Sequence, residues 1–386
     1  MNAARRKVLF YYMRGILDGG SDNSLFNHIV NLDKSRFEPL ILYRDKLHFV
    51  LKLEKSNIYT KRDLLVSIRN KLLRKKDSQI YKILNFIPGA KTVTNNFLSF
   101  FEILFLINII LLKKVDIIHL NHGVDADRPA LLAGILTRRK IFAHQRGYST
   151  LSKLDIYLSK FVEKIICISD YSRQKYTGYG LALDKCITIY NGIDLMRFFP
   201  RGDKENKYIK VGSVGRLDEF KGTKIFIQAI PFIVHIYPDV KFFVIGSGPL
   251  KDQLIKLVDD LKIRKYITFS EPVERVEDIY NSLDICVHSA LGVEPFGRVI
   301  VEAMAMELTV ISTNVGGPKE IISDGEDGYL IVQGDPKILA DKIIYLIENP
   351  EVRRKIGKNA SITVKNRFDI KITTKKIEML YNAEVI

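Results

Sequence analysis

Two glutamates eight residues apart, Glu294 and Glu302, stand at the beginning of a predicted helix. The segment Ile285–His288 before them has the length and composition of a buried strand, and we expect the helix to begin near Phe296 or Gly297. Ligands of open α/β sheets bind beyond the carboxyl ends of the strands, and a helix N-terminus offers unpaired N–H groups and partial positive charge. A diphosphate would suit this place, with one carboxylate accepting hydrogen bonds from hydroxyls at each end of an extended ligand.

The residues around Glu302 argue against the alternative that both glutamates lie on a solvated helix face. A charge in an apolar helix is rarely left unpaired, so we expect a ligand or a buried partner there. The neighbours are Val299, Ile300, Val301, Ala303, Met304 and Ala305.

Two cations follow the first predicted strand of the second half. Arg216 and Lys221 stand between Gly215 and Gly222, spaced to converge from a loop onto one anion. Charge-assisted hydrogen bonds from both would neutralise a leaving diphosphate without a metal ion. A lone lysine in a loop is usually only solvated, but this combination favours anion binding.

A second glycine-containing loop, Asp18–Asn23, follows the predicted strand Val8–Tyr12. Its paired glycines, Gly19 and Gly20, precede a predicted helix and could wrap a phosphate. They could equally form a tight turn, and both interpretations stay open.

Short apolar strands alternate with amphipathic helices along the whole chain, which is typical of parallel sheets with helices on both faces. Turn residues between Tyr190 and Asp203 predict the boundary between two doubly wound domains. The predicted strands are Val8–Tyr12, Leu40–Tyr43, Asp116–Leu120, Ile141–His144, Lys164–Ile168, Ile209–Val214, Phe242–Gly246, Ile267–Phe269, Ile285–His288 and Thr309–Ser312.

Together these motifs resemble the retaining glycosyltransferases of family four. The resemblance is dense from Tyr190 onward and weaker before it, where the glycine loop and the strand Asp116–Leu120 carry it. The matching motifs are Asn191–Asp194, Gly215-Arg216 with Lys221-Gly222, Gly246–Pro249, the pair Glu294 and Glu302, Gly316–Glu320 and Asp324–Gly328.

The resemblance implies an α/β chain with the GT-B fold, in which two doubly wound Rossmann-like domains face a central cleft. Residues 1–190 would bind the acceptor and residues 191–369 the nucleotide-sugar donor. Residues 370–386 would form a helix that crosses back to pack on the first domain.

The resemblance also implies residue roles, with a nucleoside-diphosphate sugar as co-substrate and no metal or further cofactor. Arg216 and Lys221 would hold the diphosphate, while Glu294 would contact the donor sugar and stabilise its transition state. Glu302 would bind the ribose hydroxyls. The remaining donor contacts would come from Gly20, Pro272, Val273, Phe296 and Gly297.

The acceptor side departs from the family pattern. Many members carry a histidine where this chain has Asn121, and the adjacent His122 could substitute as a catalytic residue. The alternative is that His122 is a hydrogen-bonded structural residue at a strand end. Further candidates for contacting an anionic acceptor are His119, Arg128 and Arg146.

The net charge of +16 is concentrated in the first half of the chain. Residues 1–190 hold 32 Lys and Arg against 16 Asp and Glu, whereas residues 191–386 hold 28 of each. Such asymmetry suggests contact with a polyanion, and an anionic membrane is favoured because no recognisable nucleic-acid-binding motif accompanies the charge. We therefore expect no nucleic acid as a partner.

Two segments of the first half bear on this membrane contact. Lys61–Lys76 carries seven basic residues and one acid, with Leu65, Ile68 and Leu72 at helical spacing. This predicts a basic amphipathic helix on an anionic membrane, or alternatively a solvated helix packed on the sheet. Phe97–Leu112 is too short to span a bilayer, and we expect a buried helix, with insertion into one monolayer as the alternative.

The predicted function is therefore a retaining, metal-independent glycosyltransferase that moves a sugar from a UDP- or GDP-sugar to a glycan or lipid-linked acceptor. Three dispersed cysteines and no apolar segment of signal-peptide length near Met1 predict a cytoplasmic protein, peripheral at the inner face of the membrane. Bacterial surface polysaccharide, including lipopolysaccharide, is the expected product. The alternatives are a sugar-nucleotide epimerase with the same fold and, less favoured, a basic nucleic-acid-binding protein.

Overall fold

The computed structural model describes residues 5–12, 20–43, 58–62, 90–147, 149–202 and 208–384. The chain divides into two compact units. Unit 1 comprises Met1–Ile189 and Thr374–Ile386, and unit 2 comprises Tyr190–Thr373, so the division falls within the last helix.

Unit 1 contains a seven-stranded parallel sheet in the order β3-β2-β1-β4-β5-β6-β7. Its central strands are buried on both faces, as expected for a parallel sheet covered by helices. The strands are β1 (Arg6–Tyr12), β2 (Phe37–Tyr43), β3 (Tyr59–Arg62), β4 (Ile117–Leu120), β5 (Lys140–Gln145), β6 (Lys164–Cys167) and β7 (Cys186–Thr188). The helices before unit 2 are α1 (Gly20–Asn31), α2 (Ala90–Leu112), α3 (Gly123–Ala126), α4 (Arg128–Leu136), α5 (Lys153–Ser159) and α6 (Asp170–Gly178).

Unit 2 contains a six-stranded parallel sheet in the order β10-β9-β8-β11-β12-β13. The strands are β8 (Lys210–Val214), β9 (Lys241–Ile245), β10 (Ile267–Ser270), β11 (Ile285–His288), β12 (Thr309–Thr313) and β13 (Tyr329–Ile331). The helices from α7 onward are α7 (Thr223–Val234), α8 (Lys251–Asp260), α9 (Val276–Ser282), α10 (Arg298–Ala305), α11 (Pro318–Ile321), α12 (Pro336–Glu348), α13 (Pro350–Arg367) and α14 (Ile370–Tyr381). A short 3₁₀ helix, Glu219–Lys221, precedes α7.

The order of strands reverses once in each sheet. In the sheets β1 lies next to β4, and β8 lies next to β11. The later strands of each unit therefore add on the opposite side of the first strand from the earlier ones. A reversal of this kind leaves a crevice beyond the carboxyl ends of the two strands, where ligands of doubly wound folds bind.

All ten strands predicted from the sequence are present, and both doubly wound domains are confirmed. Three sequence expectations need correction. The loop around Gly20 ends earlier than predicted, because α1 begins at Gly20 and includes Ser21–Asn23. Lys61 and Arg62 belong to strand β3 rather than to a helix, and the rest of the predicted basic helix lies outside the described residues.

The third correction concerns the segment Phe97–Leu112. It is helical, as part of α2, but it is buried on one face only, since Leu106 and Ile110 are fully buried while Phe97 and Leu112 are 60% and 72% exposed. Among the described residues, no helix combines the length and apolarity that crossing a membrane requires.

The C-terminal helix α14 joins the core of unit 1 through Tyr381. The ring of Tyr381 is fully buried against Phe37 and Phe142, and its hydroxyl lies 2.7 Å from Nδ1 of His119. His28 of α1 lies within hydrogen-bond distance of the same hydroxyl and of Thr374, at 3.5 Å and 3.3 Å. A buried polar network therefore fixes the helix within this unit.

Candidate active site

The candidate site of unit 2 lies at the reversal of strand order between β8 and β11. A pocket there is lined by residues that follow β8, by the 3₁₀ segment and by the end of β11. Its lining residues are Ser213, Val214, Gly215, Leu217, Lys221, Thr223, Val287, His288 and Ser289. The pocket therefore occupies the place where this class of sheet binds ligands.

Glu294 is the centre of a charged network beside this pocket. Its Oε2 accepts hydrogen bonds from Nζ of Lys221 at 2.5 Å and from Nε2 of His288 at 3.2 Å. Nδ1 of His288 in turn lies 3.0 Å from the hydroxyl of Ser312. The 3₁₀ segment and β11 each contribute one partner of the carboxylate, and β12 contributes the partner of the histidine.

The electrostatic setting keeps Glu294 ionised. Burial raises the pKa of the Glu294 carboxyl, but the hydrogen bond from His288 and the charge of Lys221 lower it by more. The net result is a pKa of about 2. An ionised carboxylate is only an acceptor, so Nε2 of His288 carries the proton in their bond. The site presents a fixed negative charge at neutral pH.

The backbone of Glu294 is anchored by the glycines that follow β12. Glu294 forms a β-bridge with Gly316, and its carbonyl accepts a hydrogen bond of 2.8 Å from the N–H of Gly317. A Cβ on Gly316, whose φ is +79°, would lie 2.4 Å from that carbonyl oxygen. The glycine motif at 316–320 therefore positions Glu294.

A capped turn positions Lys221. The side chain of Asp218 accepts a hydrogen bond of 3.0 Å from the N–H of Lys221, and Gly222 ends the turn at a φ of +62°. A Cβ on Gly222 would lie 2.1 Å from the carbonyl oxygen of Ser289. Only glycine fits both the left-handed backbone and this close approach.

Arg216 and Lys221 have different carboxylate partners in this structure. Arg216 forms an ion pair with Asp218, and its side chain is 70% exposed, whereas Lys221 is mostly buried against Glu294. Because Arg216 is exposed and its partner is two residues away, its guanidinium can reorient toward an anion at little cost. The convergence of both cations on one anion stays a prediction.

The helix after Glu294 begins as expected, at Arg298, with Gly297 at its N-cap and a φ of +108°. Gly297 provides no capping side chain, so the N-terminus of α10 is left to other hydrogen-bond acceptors. Phe296 is buried, and its ring stacks on Tyr190 and packs against Phe368. That packing fixes the backbone immediately before the helix.

Glu302 has the buried partners that its apolar surroundings predict. Its Oε1 accepts hydrogen bonds of 2.5 Å and 3.1 Å from the guanidinium of Arg298, and its Oε2 accepts one of 3.2 Å from the hydroxyl of Tyr280. Burial raises the pKa of Tyr280 well above its usual value, so this hydroxyl remains a donor. Pro272 and Val273 are exposed in the loop after β10.

In unit 1, the predicted acceptor residues around the end of β4 are largely buried. His119 is fully buried in the network of Tyr381, and burial lowers its pKa well below the usual value. The backbone N–H of His122 donates a hydrogen bond of 2.8 Å to Asp127, and its ring packs against Tyr12.

The two arginines proposed for the acceptor side differ in their pairing. Arg128 is paired with both oxygens of Asp155, at 2.5 Å and 2.8 Å, which makes it a structural ion pair of α4 and α5. Arg146 is half-buried beyond the end of β5, and its Nε donates a hydrogen bond of 2.7 Å to Asn121. Arg146 therefore comes together with the strand end at Asn121, whereas Arg128 does not.

Sequence reasoning missed three residues of the site in unit 2. Arg298 stands four residues before Glu302, a spacing that predicts ion pairs on a helix and could have identified it. His288 and Tyr280 carry no such signal, because their contacts depend on how a loop and a neighbouring helix fold back. Within the part of the chain that the structure describes, no three His, Cys, Asp or Glu side chains cluster so as to hold a metal ion.

Comparison with known proteins identifies the family. Residues 197–362 match the family described as glycosyl transferases group 1, and residues 74–197 match glycosyltransferase family 4. The capsular polysaccharide biosynthesis glycosyltransferase CapM of Staphylococcus aureus is 29% identical over 391 residues, which cover 93% of this chain and 97% of that protein. An uncharacterised glycosyltransferase of Methanocaldococcus jannaschii is 30% identical over 264 residues, covering 65% of this chain and 71% of that protein.

Solved structures give the same fold. The structure of HepE from Anabaena in complex with UDP and glucose matches with a TM-score of 0.79 at 21% identity, covering 98% of this chain and 100% of that chain. The chain therefore belongs to the family four glycosyltransferases and has the GT-B fold of two parallel-sheet, Rossmann-like domains.

Proposed function

We propose that the protein transfers a sugar from a UDP- or GDP-sugar to a glycan or lipid-linked acceptor in bacterial surface-polysaccharide synthesis, with retention of configuration. The reaction would need no metal ion and no cofactor beyond the nucleotide sugar. The observation that carries this proposal is the network of Lys221, Glu294 and His288 at the carboxyl ends of β8 and β11.

The diphosphate of the donor would lie between the cations and the N-terminus of α10. As the bond between the sugar and the diphosphate breaks, Lys221 and Arg216 would neutralise the developing negative charge, aided by N–H groups near Phe296 and Gly297. Lys221 and these N–H groups are protein donors at the strand ends, and the exposed Arg216 can turn toward the diphosphate, which supports transfer without a metal ion. The acceptor hydroxyl would attack from the face that the diphosphate leaves, forming its bond to the sugar carbon as the bond to the diphosphate breaks, and its proton would pass to the departing phosphate oxygen.

Glu294 would stabilise the positive charge that develops on the donor sugar. Its pKa of about 2 keeps the carboxylate ionised throughout the neutral range, and its anchored backbone holds it in one position. A preorganised charge of this kind needs no reorientation during the reaction. Because Glu294 contacts Lys221, one ion pair would stabilise both the positive charge on the sugar and the negative charge on the diphosphate.

Glu302 would bind the ribose hydroxyls, although Arg298 and Tyr280 already hold it. A carboxylate has about four acceptor positions, and three are used here, so one remains for a hydroxyl. The exposed loop of Pro272 and Val273 would lie by the nucleobase. UDP in the Anabaena HepE structures makes UDP-sugars the first donors to test.

The acceptor would bind to unit 1. Among the candidates His119, His122, Arg128 and Arg146, the half-buried Arg146 is best placed to meet an anionic acceptor, because Arg128 is paired and His119 is buried. The name of CapM supports a capsular or related polysaccharide as the product. The positive charge of residues 1–190 supports a position at the inner face of the cytoplasmic membrane.

A donor screen tests this function. A panel of UDP- and GDP-sugars is incubated with the protein and a detergent-solubilised lipid extract of bacterial membranes, and release of UDP or GDP is followed. We expect one donor to be consumed, and Glu294→Gln to lower the rate about 10²–10³-fold because the fixed charge is lost.

The matched control is Glu348→Gln, which removes a carboxylate that accepts a hydrogen bond from Tyr237 at the surface of unit 2. It should leave the rate unchanged. Near-normal release by Glu294→Gln would refute the assignment, and clean formation of an epimer from donor alone would favour a sugar-nucleotide epimerase.

A further inference from the structure

Helix α2 is mostly apolar from Phe97 to Leu112, although only one side faces the core of unit 1, where its single carboxylate, Glu102, accepts a hydrogen bond from the hydroxyl of Tyr11. Leu106, Ile109 and Ile110 pack against the sheet and are at most 5% exposed. A helix that is hydrophobic all round is normally buried on all sides or in contact with a membrane. The outer side of this helix therefore needs explanation.

The outer side carries a stripe of large apolar side chains, which we call the outer stripe. Its members recur three, four and seven residues apart, the spacing of one helix face, over a helix length of about 22 Å. Asn108 is also exposed and interrupts it. The members of the outer stripe are Phe97 (60% exposed), Phe100 (56%), Phe101 (40%), Leu104 (45%), Leu111 (53%) and Leu112 (72%).

Lysines lie at the border of this stripe. Lys114 is exposed directly after the helix, and Nζ of Lys113 lies 4.4 Å from the ring centre of the exposed Tyr59. Nζ of Lys61 lies 5.4 Å from the ring centre of Phe105 on the same helix. The whole charge excess of the protein is in residues 1–190, which include this helix.

We propose that the outer stripe is the surface by which the protein lies on an anionic phospholipid membrane. The helix would rest in the plane of the interface, with the phenylalanines and leucines among the upper acyl chains and the lysines at the phosphates. Apolar residues beside lysines are the pattern of interfacial helices, and the helix does not qualify as a membrane span. A second copy of the chain is disfavoured as the occupant, since two identical lysine borders would repel each other.

This inference rests on the membrane association in the proposed function and not on the sugar transfer. The sequence-based expectation placed the main membrane contact at Lys61–Lys76 and gave insertion of Phe97–Leu112 into one monolayer as an alternative. The lipid contact is assigned here to described residues that are exposed and apolar.

The protein has no tryptophan, so a single introduced indole reports on one position. Phe100→Trp places it in the outer stripe, and Phe232→Trp places it at a comparably exposed phenylalanine, 47% exposed, on α7 of unit 2. The full chain is mixed with vesicles of phosphatidylcholine alone or with phosphatidylglycerol, each also made with brominated lipids. We expect the fluorescence of Phe100→Trp to shift to the blue and be quenched with phosphatidylglycerol vesicles, and that of Phe232→Trp to stay unchanged.

A second pair of variants measures vesicle binding directly. Phe97→Ser/Phe100→Ser/Leu104→Ser should weaken flotation with phosphatidylglycerol vesicles more than tenfold, with the same thermal midpoint as the wild type. The control Phe232→Ser/Ile236→Ser/Ile362→Ser replaces side chains of similar exposure in unit 2 and should float as the wild type does.

The possible outcomes separate the proposals. If the wild type floats while Phe100→Trp shows neither shift nor quenching, the outer stripe is not the membrane surface, but the peripheral location stands. If the wild type does not float at all, both fall and sugar transfer remains to be judged by the donor screen. A blue shift of Phe100→Trp without vesicles, accompanied by a dimer in sedimentation, would identify a second copy as the occupant and overturn the inference.

Discussion

At the scale of single residues, the site depends on a buried carboxylate whose charge is set by two neighbours. Glu294 would be hard to ionise if buried alone, because transfer of a carboxylate from water is costly. Lys221 supplies the opposite charge and His288 a hydrogen-bond donor, and together they lower the pKa of Glu294 to about 2. His288 is therefore a positioning residue for Glu294.

Replacing His288 should change the pH dependence of the reaction. In His288→Asn the donor to Glu294 is lost, so the pKa of Glu294 rises toward the range of ordinary carboxyls. Activity that needs the ionised form is lost as the pH falls through that pKa. The profile of kcat/KM, measured from about pH 4 to 7, should therefore gain an acid limb that the wild type lacks in this range.

Ser312→Ala is the matched control, because it removes the partner of Nδ1 and leaves Nε2 of His288 beside Glu294. Its profile should follow that of the wild type. A profile of His288→Asn that overlays the wild type at a lower plateau would show that the histidine is merely structural.

At the scale of elements, the positions of the central strands were predictable, and three of the four edge strands were not. Buried central strands have apolar runs long enough to recognise, and each of these was predicted. The three strands that sequence reasoning missed, β3, β7 and β13, have three or four residues and lie at sheet edges. An edge strand pairs on one side only, so its sequence is less constrained.

The same limit applies to the site. The expectation that the charged residues after β8 and β11 bind an anion followed from their place at strand ends and from helix polarity. The need for a ligand or a buried partner of Glu302 followed from its apolar neighbours. The partnership of His288 with Glu294 depends on a loop that folds back over six residues. The local sequence pattern does not predict that a loop folds back in this way.

The buried histidines of unit 1 should make stability depend on pH. Burial lowers the pKa of His28 to about 3, and burial together with the charge of Arg146 lowers that of His144 well below its usual value. Below about pH 6.5 these histidines take up protons in the unfolded chain but stay neutral in the folded chain. Stability is therefore full above about pH 6.5 and declines as the pH falls toward 3.

Thermal midpoints at about pH 7.5 and 5 measure this decline. His144→Leu should reduce the difference between the two midpoints, because both ring nitrogens of His144 are buried and have no hydrogen-bond partner in the structure. His235→Gln replaces an exposed histidine and should leave the difference unchanged. Equal pH dependence in all three proteins would contradict the assigned cause.

At the scale of the whole molecule, charge and site are divided between the two halves of the sequence. Residues 191–386, which contain the pocket and its charged network, have no net charge, whereas residues 1–190 carry the full excess of 16. In a half without net charge, attraction of an anion depends on local groups such as Lys221 and Arg216, which favours one specific anion such as a diphosphate. An extended positive half favours binding to an extended anionic surface. This electrostatic attraction acts over about a Debye length and weakens as the salt concentration rises.

The central claim is that Lys221 and its neighbours bind the diphosphate of a nucleotide sugar. Calorimetric titration of UDP and GDP tests it most directly, using the wild type, Lys221→Ala and the control Lys256→Ala, which removes an exposed lysine of α8. The account predicts that one nucleotide binds the wild type and the control equally, and that Lys221→Ala binds it about 10–100-fold more weakly, the effect of losing one charged hydrogen bond. Binding of neither nucleotide, or equal affinity in Lys221→Ala, would contradict it.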